Sequence, residues 1–220
     1  MNVKRVASGG RLSRAETKAR TRAALLVAGE RVFAAQGFHG ATVEAIAEQA
    51  SFTRGAFYSN FQDKADLLLT LLDEQSRARL AQLGDHLEAE PAEFGLAALA
   101  GWFEQTFNAV STLDVAVAEF TPGAIREPAH AARIQHRLHE VRDYVTTIVE
   151  RQCANAGFDI PIPAARFATM IIALVDGVGA LHRLDPEAAP ADLLTEALVY
   201  LGEGMAAHGL SSSGSTIDAE

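Results

Sequence analysis

ATVEAIAEQASFTRGAFYSNF, residues 41–61, has the pattern of two short helices joined by a tight turn. Val43, Ile46, Ala47 and Ala50 fall at i, i+3, i+4 and i+7, the spacing of one buried helical face, and Thr42 stands before them as an N-cap. The helix stops at Ser51-Phe52, and Thr53 caps a second helix over residues 54–60. Ala56, Phe57 and Phe61 turn inward, which leaves Arg54, Gly55, Tyr58, Ser59 and Asn60 outward. A helix this short is unstable alone in water, so its neighbours must hold it. A helix held rigidly with a polar outer face is what insertion into a DNA groove requires.

Charge separates along the chain. The net charge is −9 over 220 residues, which at first argues against a polyanionic partner. Residues 1–66, however, carry ten Lys/Arg against six Asp/Glu, a balance of +4, and the remainder carries nine against 22, or −13. Seven of the basic residues (Lys4, Arg5, Arg11, Arg14, Lys18, Arg20 and Arg22) precede residue 23, with Glu16 the one acid among them. A basic head placed directly before a helix-turn-helix is suited to phosphate contacts, although such a run on its own is equally a solvated tail and helix face.

The hydrophobic fraction of 49% and only seven prolines predict a globular, all-α chain. Cys153 is the one cysteine, so no intrachain disulfide can form; its setting on a long helix suits a packing residue in a reducing cytoplasm. The charged residues 1–22 lack the apolar core of a signal peptide, and the longest apolar run, residues 170–175, is too short to span a bilayer. These features predict a soluble, cytoplasmic protein with no membrane partner.

Four regions are expected: a flexible basic arm at 1–13, a helix-turn-helix domain at 14–63, a helical second domain at 64–208 and a disordered Ser/Gly-rich tail at 209–220. The first helix spans 14–36, with Ala19, Ala23, Leu26, Val27, Phe33 and Ala34 as its buried stripe and Gly37 as its C-cap. Asp63 caps a long helix at 64–88 that joins the two domains. Further helices follow at 93–112, 115–120 (closed by Pro122-Gly123), 130–156, 164–184 and 191–207. No segment alternates over strand length, so no sheet is expected.

These residues closely resemble the DNA-binding signature of TetR-family transcriptional regulators. The likeness covers residues 23–68: Phe33-x3-Gly37-Phe38, Ala41-Thr42-Val43-x2-Ile46-Ala47, Thr53-x-Gly55-Ala56-Phe57-Tyr58-x2-Phe61 and Lys64-x2-Leu67-Leu68. Two positions depart from the pattern. Ser51 stands where the family has Gly, at a cost of about 1 kcal/mol if the backbone is left-handed there, and Asn60 stands where His is common.

The resemblance implies double-stranded DNA as partner, contacted by Thr42, Thr53, Arg54, Gly55, Tyr58, Asn60 and Lys64. Their chemistry agrees. Arg54 at a helix N-terminus can pair bidentately with guanine, Gly55 allows close backbone approach, and Tyr58 and Asn60 can bond phosphates or bases. Thr42 and Thr53 can bond phosphates at helix starts, and Lys64 can neutralise another. The resemblance also implies a homodimer whose last two helices pair with their copies, through Phe167, Met170, Ile171, Leu174, Val178 and Leu198, on a palindromic operator. It implies a repressor released by a small-molecule ligand in the second domain.

Trp102, Phe103, Phe107, Phe120 and Tyr144 could line a ligand pocket or equally form an ordinary core, and Asp176 interrupts an apolar helix, where it needs a partner such as Arg183, a histidine or a polar ligand group. A rival reading is an architectural or protein-recruiting DNA-binding factor without a ligand. An enzyme is a distant third: there is no nucleophile motif, phosphate loop or dinucleotide loop, and Gly177-Val178-Gly179 lacks a third glycine. His136, His139 and Glu140 share a helix face without a further ligand cluster, so neither metal nor cofactor is expected.

Overall fold

The computed structural model describes residues 13–89, 113–156, 160–190 and 192–213. Among these residues there are eight helices and no strand, so the chain is all-α. The helices are α1 (Arg14–Gly40), α2 (Val43–Gln49), α3 (Arg54–Tyr58), α4 (Lys64–Ala89), α5 (Asp114–Ala124), α6 (Pro128–Ala156), α7 (Ala164–Leu184) and α8 (Leu193–Ser213). The arm before Ser13, the helix expected at 93–112 with Trp102, Phe103 and Phe107, and the tail beyond Ser213 lie outside the described residues.

The chain divides into two compact units, Met1–Leu72 with Thr112–Ala131, and Asp73–Ser111 with Ala132–Glu220. The division falls within α4 and α6 rather than at residue 63, and α5, expected in the second domain, packs along α1 in the first unit. Phe120 shows why. It is buried with its ring 4.8 Å from that of Phe38.

In the first unit α1 starts at a capping box, in which the Ser13 backbone N–H donates to Glu16 Oε2 at 2.7 Å and the Glu16 N–H donates to Ser13 Oγ at 3.2 Å. The Ser13 backbone N–H, and after it the Ser13 side chain, hold the Glu16 carboxyl below the usual carboxylate range. The buried face of α1 is Leu25, Leu26, Ala28, Gly29, Val32 and Phe33. It is rotated from the expected stripe: Ala19, Ala23 and Ala34 are exposed, and so is Val27. Alanines are small enough to sit on either face, so counting them as apolar displaced the stripe by about one position.

Gly37 breaks α1 with φ 67° and ψ −177°, after which one more turn forms to Gly40. This backbone conformation is one that residues with a Cβ rarely adopt, and a Cβ there would in addition press on the Glu119 carboxylate at 2.7 Å. The expected helix stop is thus a kink, and the chain after it is held when the His39 N–H donates to Glu119 Oε2 at 3.0 Å.

The turn between α2 and α3 is a Schellman motif. The Phe52 N–H donates to the Ala47 carbonyl at 2.8 Å and the Ser51 N–H to that of Glu48 at 2.9 Å, with Ser51 at φ 60°. Serine therefore occupies the left-handed position at which the resembling family has glycine.

The core of the second unit is Val145 and Val149 of α6, Phe167, Ala168 and Ile171 of α7, and Leu194 and Leu198 of α8. Cys153 packs against it, half-buried. Three further boundaries differ from expectation. α5 runs through Pro122, which in the last turn forfeits only one hydrogen bond. α6 begins at Pro128, the position where a missing N–H is harmless. α8 continues to Ser213, so 209–213 are helical rather than a disordered tail, because extending a formed helix costs less than starting one. By length and composition α7 could cross a membrane, although the run at 170–175 alone could not; the difference is the flanking Ala and Gly.

Ser51→Gly should raise unfolding stability by up to about 1 kcal/mol, because the left-handed backbone no longer opposes a Cβ. Chemical denaturation of the two proteins checks this, and an unchanged midpoint would show that the turn carries no strain.

Candidate nucleic-acid interface

α1, α2 and α3 pack on one another. Phe57 is fully buried and anchors α3, with Phe61 against it at 5.7 Å between centroids. Ile46 and Ala47 do the same for α2. Each short helix is capped by its threonine: Thr42 Oγ1 accepts from the Ala45 N–H at 3.1 Å, and Thr53 Oγ1 from the Ala56 N–H at 3.2 Å. A hydroxyl used as acceptor keeps its own proton, so both exposed threonines can still donate to an oxyanion.

The exposed start of α3 carries Arg54, Gly55 and Tyr58. The Arg54 Nη1 lies 2.8 Å from Glu44 Oε1, and its guanidinium sits 5.6 Å from the Tyr58 ring centre. A hydrogen bond with Tyr58, and then the Glu44 charge, raise the pKa of the guanidinium. At Gly55 an added Cβ would meet nothing nearer than Thr53 Oγ1 at 3.7 Å. Nothing inside the chain therefore demands glycine there, and helix propensity opposes it. Its missing side chain leaves the backbone open to an outside partner.

Three basic or polar residues are placed differently from expectation. Lys64 Nζ donates to the carbonyls of Phe38 at 2.7 Å, Ala41 at 2.8 Å and His39 at 3.4 Å, and lies 4.6 Å over the Phe38 ring. Rather than standing free for a phosphate, it holds the end of α1, where orphan carbonyls attract a cation. Desolvation lowers its pKa against the opposing charge of Glu119.

Asn60 turns back on its own helix. Its Nδ2 donates to the Ala56 carbonyl at 2.8 Å, and its Oδ1 is buried without a partner. Arg22, the last of the basic run, is likewise turned inward. Its Nη1 donates to the Asn60 carbonyl at 2.9 Å, its Nη2 to Thr70 Oγ1 at 3.4 Å, and its guanidinium stacks 4.2 Å over Phe61. Sequence spacing gave no sign of these inward turns, because a long side chain near a helix end can reach either way.

The expected ligand residues that fall among the described ones belong to different units. Phe120 is core in the first unit, whereas Tyr144 and Asp176 belong to the second. Tyr144 lies against α4, where a Cβ at Gly84 would meet its hydroxyl oxygen at 2.7 Å. Asp176 is exposed on α7 rather than buried. Even so, surrounding protein raises its pKa, opposed by the charges of Arg137, Arg183 and Arg79. Of the expected dimer residues, Phe167, Ile171 and Leu198 are 4%, 0% and 0% exposed, so they fill the core of their own chain and have no surface left for a second copy. Leu174 and Val178 are half-buried, and Met170 is exposed. Among the described residues no group of three or more His, Cys, Asp or Glu could hold a metal ion.

Residues 25–71 match the family of bacterial regulatory proteins designated tetR. The helix-turn-helix segment therefore carries the TetR-family DNA-binding domain. Its relatives include the HTH-type transcriptional repressor BepR of Brucella suis biovar 1 (strain 1330), 42% identical over 64 residues, which are 29% of each chain. The match thus spans under a third of that relative's length. The fold extends much further. A TetR transcription regulator from Haloarcula marismortui ATCC 43049 superposes with TM-score 0.71 at 17% identity, covering 85% of this chain and 98% of its own. The regulator FadR of Bacillus subtilis, solved in complex with stearoyl-CoA, gives 0.62 at 21%, covering 83% and 98%. The TetR likeness in sequence is confined to the helix-turn-helix unit, and beyond it only the fold is shared.

Lys64→Met should destabilise the first unit by about 1–3 kcal/mol, since three carbonyls lose a charged donor. Thermal unfolding checks this. Unchanged stability would show the ammonium to be dispensable for the fold.

Proposed function

We propose that the protein is a homodimeric, cytoplasmic transcriptional repressor that binds a palindromic operator through α2 and α3 and is released by a small-molecule ligand. The observation that carries this reading is the exposed start of α3, where Arg54 and Tyr58 flank a glycine with open space above it. Such a surface fits the floor of a major groove, with Arg54 able to pair with guanine O6 and N7. Thr42 and Thr53 complete it as phosphate donors, with Lys64 and Asn60 supporting from beneath. Repression agrees with the function of BepR, and ligand control with the stearoyl-CoA complex of FadR.

One helix-turn-helix reads only a few base pairs, so specific binding calls for two copies. The exposed face of α7 supplies a suitable surface. Met170, Ala173, Gly177, Ala180, Leu181 and Leu184 form one continuous stripe opposite the buried one, and Tyr200 of α8 is 71% exposed. Small residues within an apolar stripe allow a second helix to approach closely, and two copies of the stripe bury one another. A ligand held in the second unit, beside the charged group around Asp176, would act on DNA through α4, whose residues serve both units. To reverse the population, that ligand must prefer the released state by about 5 kcal/mol.

Selection of random duplex DNA by the purified protein should enrich a palindrome with half-sites about one helical turn apart or more. Arg54→Ala should then cost about 1–3 kcal/mol and relax one base position per half-site. Failure to enrich any sequence, or an unchanged base preference in the variant, would overturn the assignment of α3. Independently, Leu181→Asp should give a folded monomer in sedimentation that no longer holds the palindrome. A persistent dimer would place the interface elsewhere.

A further inference from the structure

Glu44 stands where a DNA-binding surface should not carry an acid. It lies in the first turn of α2, 57% exposed and within reach of Arg54 of α3, and an exposed carboxylate repels any phosphate brought close to it. Its carboxylate instead grips one end of the Arg54 guanidinium at 2.8 Å, while the Tyr58 ring lies beneath the same group at 5.6 Å. An arginine has five N–H donors in a rigid plane. With Nη1 engaged by Glu44 and one further hydrogen bond made to Tyr58, the guanidinium is held from two sides and keeps further N–H donors for a guanine edge.

Resting on the DNA-binding reading, we propose that Glu44 is a specificity-determining positioning residue, which orients Arg54 for a base edge and keeps it from phosphates. Two effects follow from one carboxylate. The guanidinium is held in the plane and direction of the groove floor, so less side-chain freedom is lost when it meets the correct base. Loose binding to any phosphate is penalised, because the acid must approach the backbone with it. Wild-type affinity for unrelated DNA is thereby lowered, and the ratio of specific to non-specific binding is raised. The plain structural alternative is that Glu44 merely supplies negative charge to the N-terminus of α2.

The test uses the full-length protein and the palindrome that the wild type enriches. Dissociation constants are measured for that palindrome, for one with the Arg54-read base pair changed, and for an unrelated duplex, over a salt series. E44A should lower the specific to non-specific ratio by about tenfold, the scale of one bidentate base contact. It should also steepen the salt dependence on unrelated DNA by about one unit of log–log slope, as Arg54 becomes a phosphate ligand. E44D keeps the charge on α2 but is too short to reach Arg54, so it should lose the ratio as E44A does. In an R54A background, E44A should change the ratio no further. An E44A protein with wild-type ratio and slope, or an E44D protein that behaves as wild type, overturns the proposal. A wild type that enriches no sequence overturns it together with the DNA-binding reading, which separates the two failures.

Discussion

A helix of five residues cannot hold itself together in water, because the cost of fixing its first turn exceeds what so few hydrogen bonds return. α3 exists because Phe57 is buried completely in the first unit. Everything at the candidate interface hangs from that side chain. Once Phe57 points inward, helical geometry sends Arg54, Gly55 and Tyr58 outward and brings the α3 terminus beside that of α2. The threonine caps, the Schellman turn at Ser51 and the Arg22 clamp on the Asn60 carbonyl then remove the remaining freedom around it.

The same unit shows how charge is divided between holding and contacting. Lys64 and Arg22 are cations beside a surface that would suit an anion, yet their donors satisfy backbone carbonyls left over at the ends of α1 and α3. Helix C-termini carry partial negative charge, so a cation there is favourable before any ligand arrives. Glu119 does the converse for the N–H of His39 beyond the Gly37 kink. Because Glu119 belongs to α5, the helix-turn-helix is completed by a segment far along the chain.

The second unit follows a different logic, since α7 has to serve two faces. Its inner face, with Phe167, Ala168 and Ile171, closes the core with α6 and α8. Its outer stripe of Met170, Leu181 and Leu184 remains uncovered in a single chain. An apolar helix with one buried and one open side leaves apolar surface exposed, and its composition alone also satisfies the criterion for a membrane span.

Local pattern determined much of this protein. The all-α class, the capped starts of α2 to α4, the buried Phe57 and the outward Arg54 and Tyr58 were legible because each depends on spacing within a few residues, and the left-handed Ser51 was legible through the family resemblance. Only the tertiary structure decided which atoms the long polar side chains reach. Lys64 and Asn60 turned inward, Glu44 closed on Arg54, and Phe120 joined the first unit beside Phe38. It also decided which side of α7 is core, placing Phe167, Ile171 and Leu198 inside their own chain. Periodicity records that a helix is apolar on a face, but not which neighbour covers it, and a flexible side chain takes the partner that distant segments bring within reach.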